Sequence, residues 1–124
     1  MELVIGGAYQ GKLTWVCRRH SLQAADLLDC RQGFPTEKAK CYYHLEALSW
    51  LCVQQGWQVE NRLGDVVPLF QHAILICRDV GAGVVPLDPK ERAWREQNGR
   101  MLQLLARDSE HVTRIFCGLP EVLK

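Results

Sequence analysis

Hydrophobic and polar positions alternate along the chain in blocks that predict strands and helices in turn. Short apolar runs are typical of buried strands, and they occur at residues 2–5, 27–29, 73–77 and 112–117. Between these runs, the apolar residues recur with the 3.6-residue spacing of helices. Alternation of this kind predicts a mostly parallel sheet with helices on both faces.

The spacing predicts helices over 12–22, 36–55 and 89–107. In the second helix, Cys41, Leu45, Leu48 and Cys52 fall on one face, and Gly56 is expected to end it. The third helix begins with Asp88 as N-cap and Pro89 at its first position. Residues 57–70 carry a weaker pattern, with a turn expected at Gly64-Asp65 and a short helix over 66–70.

The most informative motif lies between the first strand and the first helix. Gly6, four residues, Gly11 and Lys12 reproduce the spacing of a loop whose backbone N–H groups surround a phosphate. The lysine adds a charge for the β- and γ-phosphates, and the helix N-terminus adds its partial positive charge. The next residue should carry the hydroxyl that holds Mg²⁺, but it is Leu13. Thr14 cannot replace that hydroxyl, because it lies about 100° further around the helix. The nucleotide-binding residues predicted here are Gly6, Gly7, Ala8, Tyr9, Gln10, Gly11, Lys12, Leu13 and Thr14.

The motif and the alternation together predict one domain over residues 1–124. Its fold class is α/β: a three-layer P-loop domain of RecA-like type, with a mostly parallel sheet of about four to five strands and the loop-bearing strand at its centre.

Composition narrows the function classes. The chain has 15 Lys and Arg against 14 Asp and Glu, with no basic run, which argues against binding to nucleic acid or to a membrane surface. No apolar run approaches the roughly 20 residues that span a bilayer, and no secretory signal is recognisable, so a cytoplasmic location is expected. The six cysteines lack zinc spacing and are interpreted as reduced core thiols, with a redox or metal role as the alternative.

Two acidic residues are candidates for catalysis. Asp29 ends the strand Leu27-Leu28-Asp29, where P-loop proteins place an acid that holds Mg²⁺; the alternative is an ordinary capping aspartate. Asp79 leaves the third strand just before Gly81-Ala82-Gly83, at the sheet edge where ligands bind; the alternative is a structural turn. The dispersed histidines suggest no nucleophilic site, and His44 is interpreted as a packing residue.

Several segments resemble one known family. Val80-Gly-Ala-Gly-Val-Val-Pro86 is similar to "TNEVGxGIVP", and Arg92-Ala-Trp-Arg95 with the residues that follow is similar to "RxFRDxxGxxNQ". The start is similar to "GGARSGKS", and Leu27-Leu-Asp-Cys30 to "LLDC". These are motifs of the adenosylcobinamide kinase / adenosylcobinamide-phosphate guanylyltransferase family, of which the chain looks like a short, divergent member.

The resemblance implies ATP or GTP with Mg²⁺ as cofactors, a corrinoid-type acceptor, and a homo-oligomer in cobalamin biosynthesis. Lys12 would bind the β/γ-phosphates, Asp29 the metal, and Asp79 would orient a nucleophile or a metal-bound water. The chain departs from the family in the loop arginine, in Leu13 and in the long segment that carries the guanylyl-accepting histidine, which is missing. Two hypotheses follow: a kinase-like phosphotransferase without the guanylyltransferase half, or a catalytically degenerate homologue that acts as a binding, regulatory or structural subunit.

Overall fold

A computed structural model describes residues 1–81 and 86–124 of the chain. It contains six strands and four α-helices, joined in part by short 3₁₀ turns at Ala24–Asp26 and Cys30–Gln32. The strands are β1 (Glu2–Gly6), β2 (Leu27–Asp29), β3 (Cys41–Tyr43), β4 (Ile74–Arg78), β5 (His111–Phe116) and β6 (Leu119–Val122). The helices are α1 (Lys12–His20), α2 (Glu46–Gln55), α3 (Val59–Phe70) and α4 (Pro89–Asp108).

All six strands form one sheet in the order β2-β3-β4-β1-β5-β6. Every pairing is parallel except that of β5 with β6, which is antiparallel. The loop-bearing strand β1 lies at the centre, between β4 and β5, as predicted. The mostly parallel α/β architecture confirms the predicted fold class, with one more strand than the largest number expected.

The sheet separates two apolar cores, because successive residues of a strand point to opposite faces. Leu3, Tyr42 and Leu75 face the larger core, which α2, α3 and α4 cover. Val4 and Ile76 face the smaller core, which α1 covers. The result is the three-layer arrangement that the alternation of strands and helices predicts.

The helix predicted over 36–55 is wrong in its first half. Residues Cys41–Tyr43 form β3, paired on one side with β2 and on the other with β4, and the helix begins only at Glu46. The hydroxyl of Tyr42 accepts a hydrogen bond from the Ala39 N–H and donates to the Glu37 carbonyl, which holds the preceding loop against the strand. The apolar spacing therefore indicated the buried face of α2 but placed its start too early.

Two other segments differ from the sequence predictions. The turn expected at Gly64-Asp65 is wrong: α3 runs through both residues and even includes Pro68. The last strand, β6, was not predicted. It follows a two-residue turn in which Cys117 and Gly118 both have positive φ, and its Pro120 is tolerated because β6 lies at the sheet edge.

Among the described residues, no helix combines the length and apolarity needed to cross a bilayer. Within the same ranges the cysteines form no disulfide. Cys30, Cys41, Cys52 and Cys77 are buried, as expected for core thiols, whereas Cys17 is half-buried and Cys117 is exposed, contrary to that expectation.

Candidate functional site

The loop between β1 and α1 requires glycine at two positions. A Cβ on Gly6 would lie 2.5 Å from the Ile115 carbonyl oxygen, which is closer than real Cβ contacts allow. Gly11 has a φ of +88° and precedes the first residue of α1, a conformation that side chains rarely adopt. The glycine spacing read from the sequence therefore corresponds to a loop that passes close to β5 and enters the helix through a left-handed residue.

The loop is fastened to the sheet at both ends. The Gly6 carbonyl accepts a hydrogen bond from the Asp79 N–H at 2.9 Å. Gln10 binds the β5–β6 turn twice: its side-chain oxygen accepts from the Cys117 N–H at 2.6 Å, and its carbonyl accepts from the Gly118 N–H at 2.9 Å. Gln10 thus has a structural role in the loop that the motif alone did not indicate.

Lys12 folds back over the loop it follows. Its ammonium group donates a hydrogen bond to the Gly7 carbonyl at 2.7 Å. Burial lowers the pKa of Lys12, and the nearby charge of Glu46 opposes that shift. The cation therefore lies against the loop, in the cavity that Glu46 of α2 also lines.

The space above the loop is open. A cavity of about 350 Å³ lies against it, and Tyr9 points into solvent at the rim, fully exposed, so its ring does not fill the centre of the loop. Leu13 packs partly into the smaller core, and Thr14 is exposed. The cavity is lined by Ala8, Tyr9, Gln10, Gly11, Lys12, Leu13, Thr14, Tyr43, His44, Glu46, Ile76 and Arg78. Lys12 and all of the predicted nucleotide-binding residues except Gly6 and Gly7 line this one cavity.

The carboxylate of Asp29 is hydrogen-bonded to neighbouring residues. Its carboxylate accepts hydrogen bonds from the backbone and side chain of Arg31, and one oxygen lies 3.1 Å from Nδ1 of His44. Partial burial alone would raise the pKa of Asp29, but these hydrogen bonds outweigh it and lower the pKa to about 2. The residue does not line the loop cavity.

Asp79 also makes a local contact. Its side chain accepts a hydrogen bond from the Gly81 N–H at 3.0 Å, which closes a turn directly after β4. The Gly81 carbonyl in turn accepts from the Arg95 guanidinium of α4. Asp79 does not line the loop cavity, and the predicted glycine loop continues into residues 82–85, which lie outside the described ranges.

A Mg²⁺ ion would find few protein ligands around the loop. Leu13 has no oxygen in its side chain, and the Asp29 carboxylate is taken by Arg31 and His44. In residues 1–81 and 86–124, no group of three His, Cys, Asp or Glu side chains is arranged to hold a metal ion. Glu46 is the one acidic residue among the described residues that line the cavity, and a single carboxylate does not make a site for a metal held by the protein.

Two ionisable residues of the cavity wall, His44 and Glu46, were not singled out as site residues from the sequence. His44 directly follows β3 with a φ of +58° and pairs with Asp29 beside the cavity. Glu46 begins α2, and its Oε1 accepts a hydrogen bond from the Arg78 N–H at 2.9 Å. Only the correct boundary between β3 and α2 would have placed these side chains at the carboxyl edge of the sheet.

Comparison with known proteins gives one family. A search of curated proteins finds no match. A family model described as cobinamide kinase / cobinamide phosphate guanyltransferase matches residues 27–123. The match covers most of the chain and includes the cavity-lining residues of β3, α2 and β4, whereas the Gly6–Lys12 loop precedes the matched range. The chain belongs to the cobinamide kinase / cobinamide phosphate guanyltransferase family.

Proposed function

We propose that the chain binds ATP or GTP at the Gly6–Lys12 loop and transfers the γ-phosphoryl group to a hydroxyl of a cobinamide-type acceptor. The observation that carries this proposal is the open cavity above the loop, with Lys12 at its base and Tyr9 turned out into solvent. A loop that had lost its ligand would be free to fill this space with side chains. Family membership supplies the reaction class and the acceptor.

Lys12 is the central residue of the proposed site. Its ammonium group already donates to a loop carbonyl, so an entering phosphate oxygen would replace the Gly7 oxygen as acceptor at the same end of α1. The helix N-terminus and the loop N–H groups would share the negative charge. Phosphoryl transfer depends mainly on positioning and on charge neutralisation, which this arrangement can provide.

The proposal assigns no protein-held Mg²⁺ to the site, because Leu13 has no side-chain oxygen and the Asp29 carboxylate is bonded to Arg31 and His44. It also omits the guanylyltransferase step, because the segment that would carry the acceptor histidine is missing from the sequence. Asp79 would act through the turn after β4 rather than on the phosphates. Self-association and a cytoplasmic location stay predictions.

Calorimetry tests the nucleotide site. We expect the metal-free protein to bind ATP or GTP with an affinity that Mg²⁺ changes little, and Lys12→Ala to weaken binding about 10- to 100-fold, because a charge-assisted hydrogen bond is lost. Lys38→Ala, an exposed lysine outside the cavity, is the matched control. If the wild-type chain binds neither nucleotide at millimolar concentration, the kinase proposal is wrong and the degenerate-subunit hypothesis is favoured.

A further inference from the structure

Glu46 stands between two cavities. It is the first residue of α2, it is only 9% exposed, and it lines the loop cavity that also contains Lys12. On its other side it lines a second cavity of about 400 Å³. That cavity is otherwise walled by Arg31, Ala47, Trp50, Glu91 and Trp94. One acidic residue therefore borders both spaces.

The structure holds Glu46 firmly from two directions. Its Oε1 accepts the hydrogen bond from the backbone N–H of Arg78, the last residue of β4. Its backbone carbonyl accepts a hydrogen bond from Nε1 of Trp94 at 2.9 Å, and the same indole N–H contacts Ser49 Oγ at 3.0 Å. The sheet thus fixes the carboxylate and α4 fixes the backbone, which is the rigidity that a reacting group needs.

The second Glu46 oxygen accepts no hydrogen bond in the described ranges, so it is available to a ligand. Glu46 and Lys12 line the same cavity, and the charge of Glu46 opposes the lowering of the Lys12 pKa by burial. A carboxylate in this place would repel a phosphate directly in contact with it. It suits instead a hydroxyl group that approaches the phosphate from the other side.

The second cavity has the character of a site for such a hydroxyl compound. The Trp50 and Trp94 rings meet edge to face with centroids 5.3 Å apart and give it an apolar wall. Arg31 and Glu91 provide polar groups at the rim. Its volume is within the range of small-molecule pockets, but it is too small for an entire corrinoid, so only an arm of such a molecule would enter.

We propose that Glu46 is the catalytic base for the acceptor and that the Trp50–Trp94 cavity binds the arm of the acceptor that carries the hydroxyl. This inference rests on the proposed phosphotransferase function. The acceptor O–H gives its proton to the Glu46 carboxylate, and its oxygen forms a bond to the γ-phosphorus. The bond between that phosphorus and the oxygen bridging to the β-phosphate breaks, and the nucleoside diphosphate leaves.

The test compares Glu46→Gln with Glu110→Gln, using cobinamide and whichever of ATP and GTP binds as probes. Glutamine at position 46 keeps an oxygen for the Arg78 N–H but cannot take a proton, whereas Glu110 is exposed and lines neither cavity. We expect E46Q to bind the nucleotide within about twofold of the wild type while kcat falls at least about 100-fold, the lower range for loss of a general base. E110Q should keep kcat within about threefold.

Further variants distinguish a chemical role of Glu46 from a structural one. Glu46→Asp should recover part of the kcat lost in E46Q, because it restores the carboxylate; this variant also serves if E46Q does not fold. Trp50→Leu should raise the KM for cobinamide without changing the Kd for ATP. Equal losses of kcat in E46Q and E110Q, or more than a tenth of the wild-type kcat in E46Q, would overturn the role of Glu46.

The same measurements distinguish the two levels of the proposal. A wild-type chain that binds neither ATP nor GTP removes the proposed function and this inference with it. A chain that binds a nucleotide and phosphorylates cobinamide, yet is indifferent to E46Q, keeps the proposed function and loses only the base. A chain that binds a nucleotide but phosphorylates no cobinamide keeps the nucleotide site and removes the proposed transfer together with the acceptor site.

Discussion

Nδ1 of His44 lies 3.1 Å from a carboxylate oxygen of Asp29. The two residues come from the ends of neighbouring parallel strands, because Asp29 pairs in register with Tyr43 and His44 follows directly. Arg31 completes the group with hydrogen bonds from its backbone and side chain. These contacts join β2, the edge strand of the sheet, to the wall of the loop cavity.

This group makes stability depend on pH. The pKa of Asp29 falls from 3.8 to about 2 in the folded chain, so its contribution is fully present above pH 4 and is lost as the pH falls towards 2. We expect Asp29→Asn to lower the free energy of unfolding at pH 7 and to approach the wild type near pH 2. Urea unfolding at several pH values measures this. Asp65→Asn, in an exposed surface pair, is the control, and a D29N effect independent of pH would contradict the prediction.

Gly6 should tolerate no side chain. In Gly6→Ala the new methyl group would meet the Ile115 carbonyl at 2.5 Å, so the loop or β5 must move. We expect a loss of about 1–3 kcal/mol in the free energy of unfolding, as for an overpacked core. In Gly7→Ala the nearest atom is the Gln10 Cγ at 3.7 Å, an ordinary contact, and stability should change little. Equal effects of the two variants in denaturant titrations would show that the contact with β5 is not the cause.

Asn98 should be one of the most sensitive polar residues of the core. It is fully buried, its Oδ1 accepts from Ser49 Oγ at 2.8 Å, and its Nδ2 donates to the Arg78 carbonyl at 3.1 Å. Asn98→Ala leaves these groups without their partner, and we expect a loss of about 1–3 kcal/mol. Thermal and urea unfolding measure it against Gln103→Ala, an exposed site on the same helix. A loss no larger than that of Q103A would contradict the prediction.

The reactivity of the cysteine thiols should follow their exposure to solvent. Burial raises the pKa of Cys30 and of Cys41 to about 12, so neither forms the reactive thiolate near neutral pH, whereas Cys117 is exposed. We expect a thiol reagent to modify Cys117 rapidly in the native protein and all six cysteines after unfolding. Cys117→Ser should remove the rapid phase. A rapid phase that survives this substitution would mean that a second thiol, either the half-buried Cys17 or one of the core, is accessible.

Local sequence signals were sufficient to predict the elements that depend only on residues close to them along the chain. The glycine loop after β1, the continuous apolar run of β4 and the Asp88-Pro89 start of α4 each carry their own signal, and each lies where it was predicted. The three residues of β3 carry no such signal. They become a strand through pairing with Leu27–Asp29 and with Ile74, both distant along the chain.

The residues of the candidate site also divide into those that a local sequence signal indicates and those that depend on distant contacts. Lys12 and the loop glycines could be predicted because their spacing is the signal. Glu46 could not, because an acid in the first turn of a helix is common and favourable at any helix start. Its place between two cavities depends on where β3 ends and on the packing of Trp94 against α2. Asp29 and Asp79 were located at the correct strand ends, but the partners that occupy them, Arg31 and Gly81, depend on turn geometry.

The two hydrogen bonds of Gln10 to the β5–β6 turn also bear on how fast a ligand can be exchanged. Under the proposed function, a loop that the sheet already holds in shape would give up little conformational entropy when a phosphate binds. Because the loop takes up most of its ordered conformation during folding, binding of the ligand should not wait for a slow rearrangement of the loop. If Gln10 is substituted, the loop would have to become ordered when the ligand binds. We expect this to lower the association rate of the ligand more than it lowers the stability of the fold.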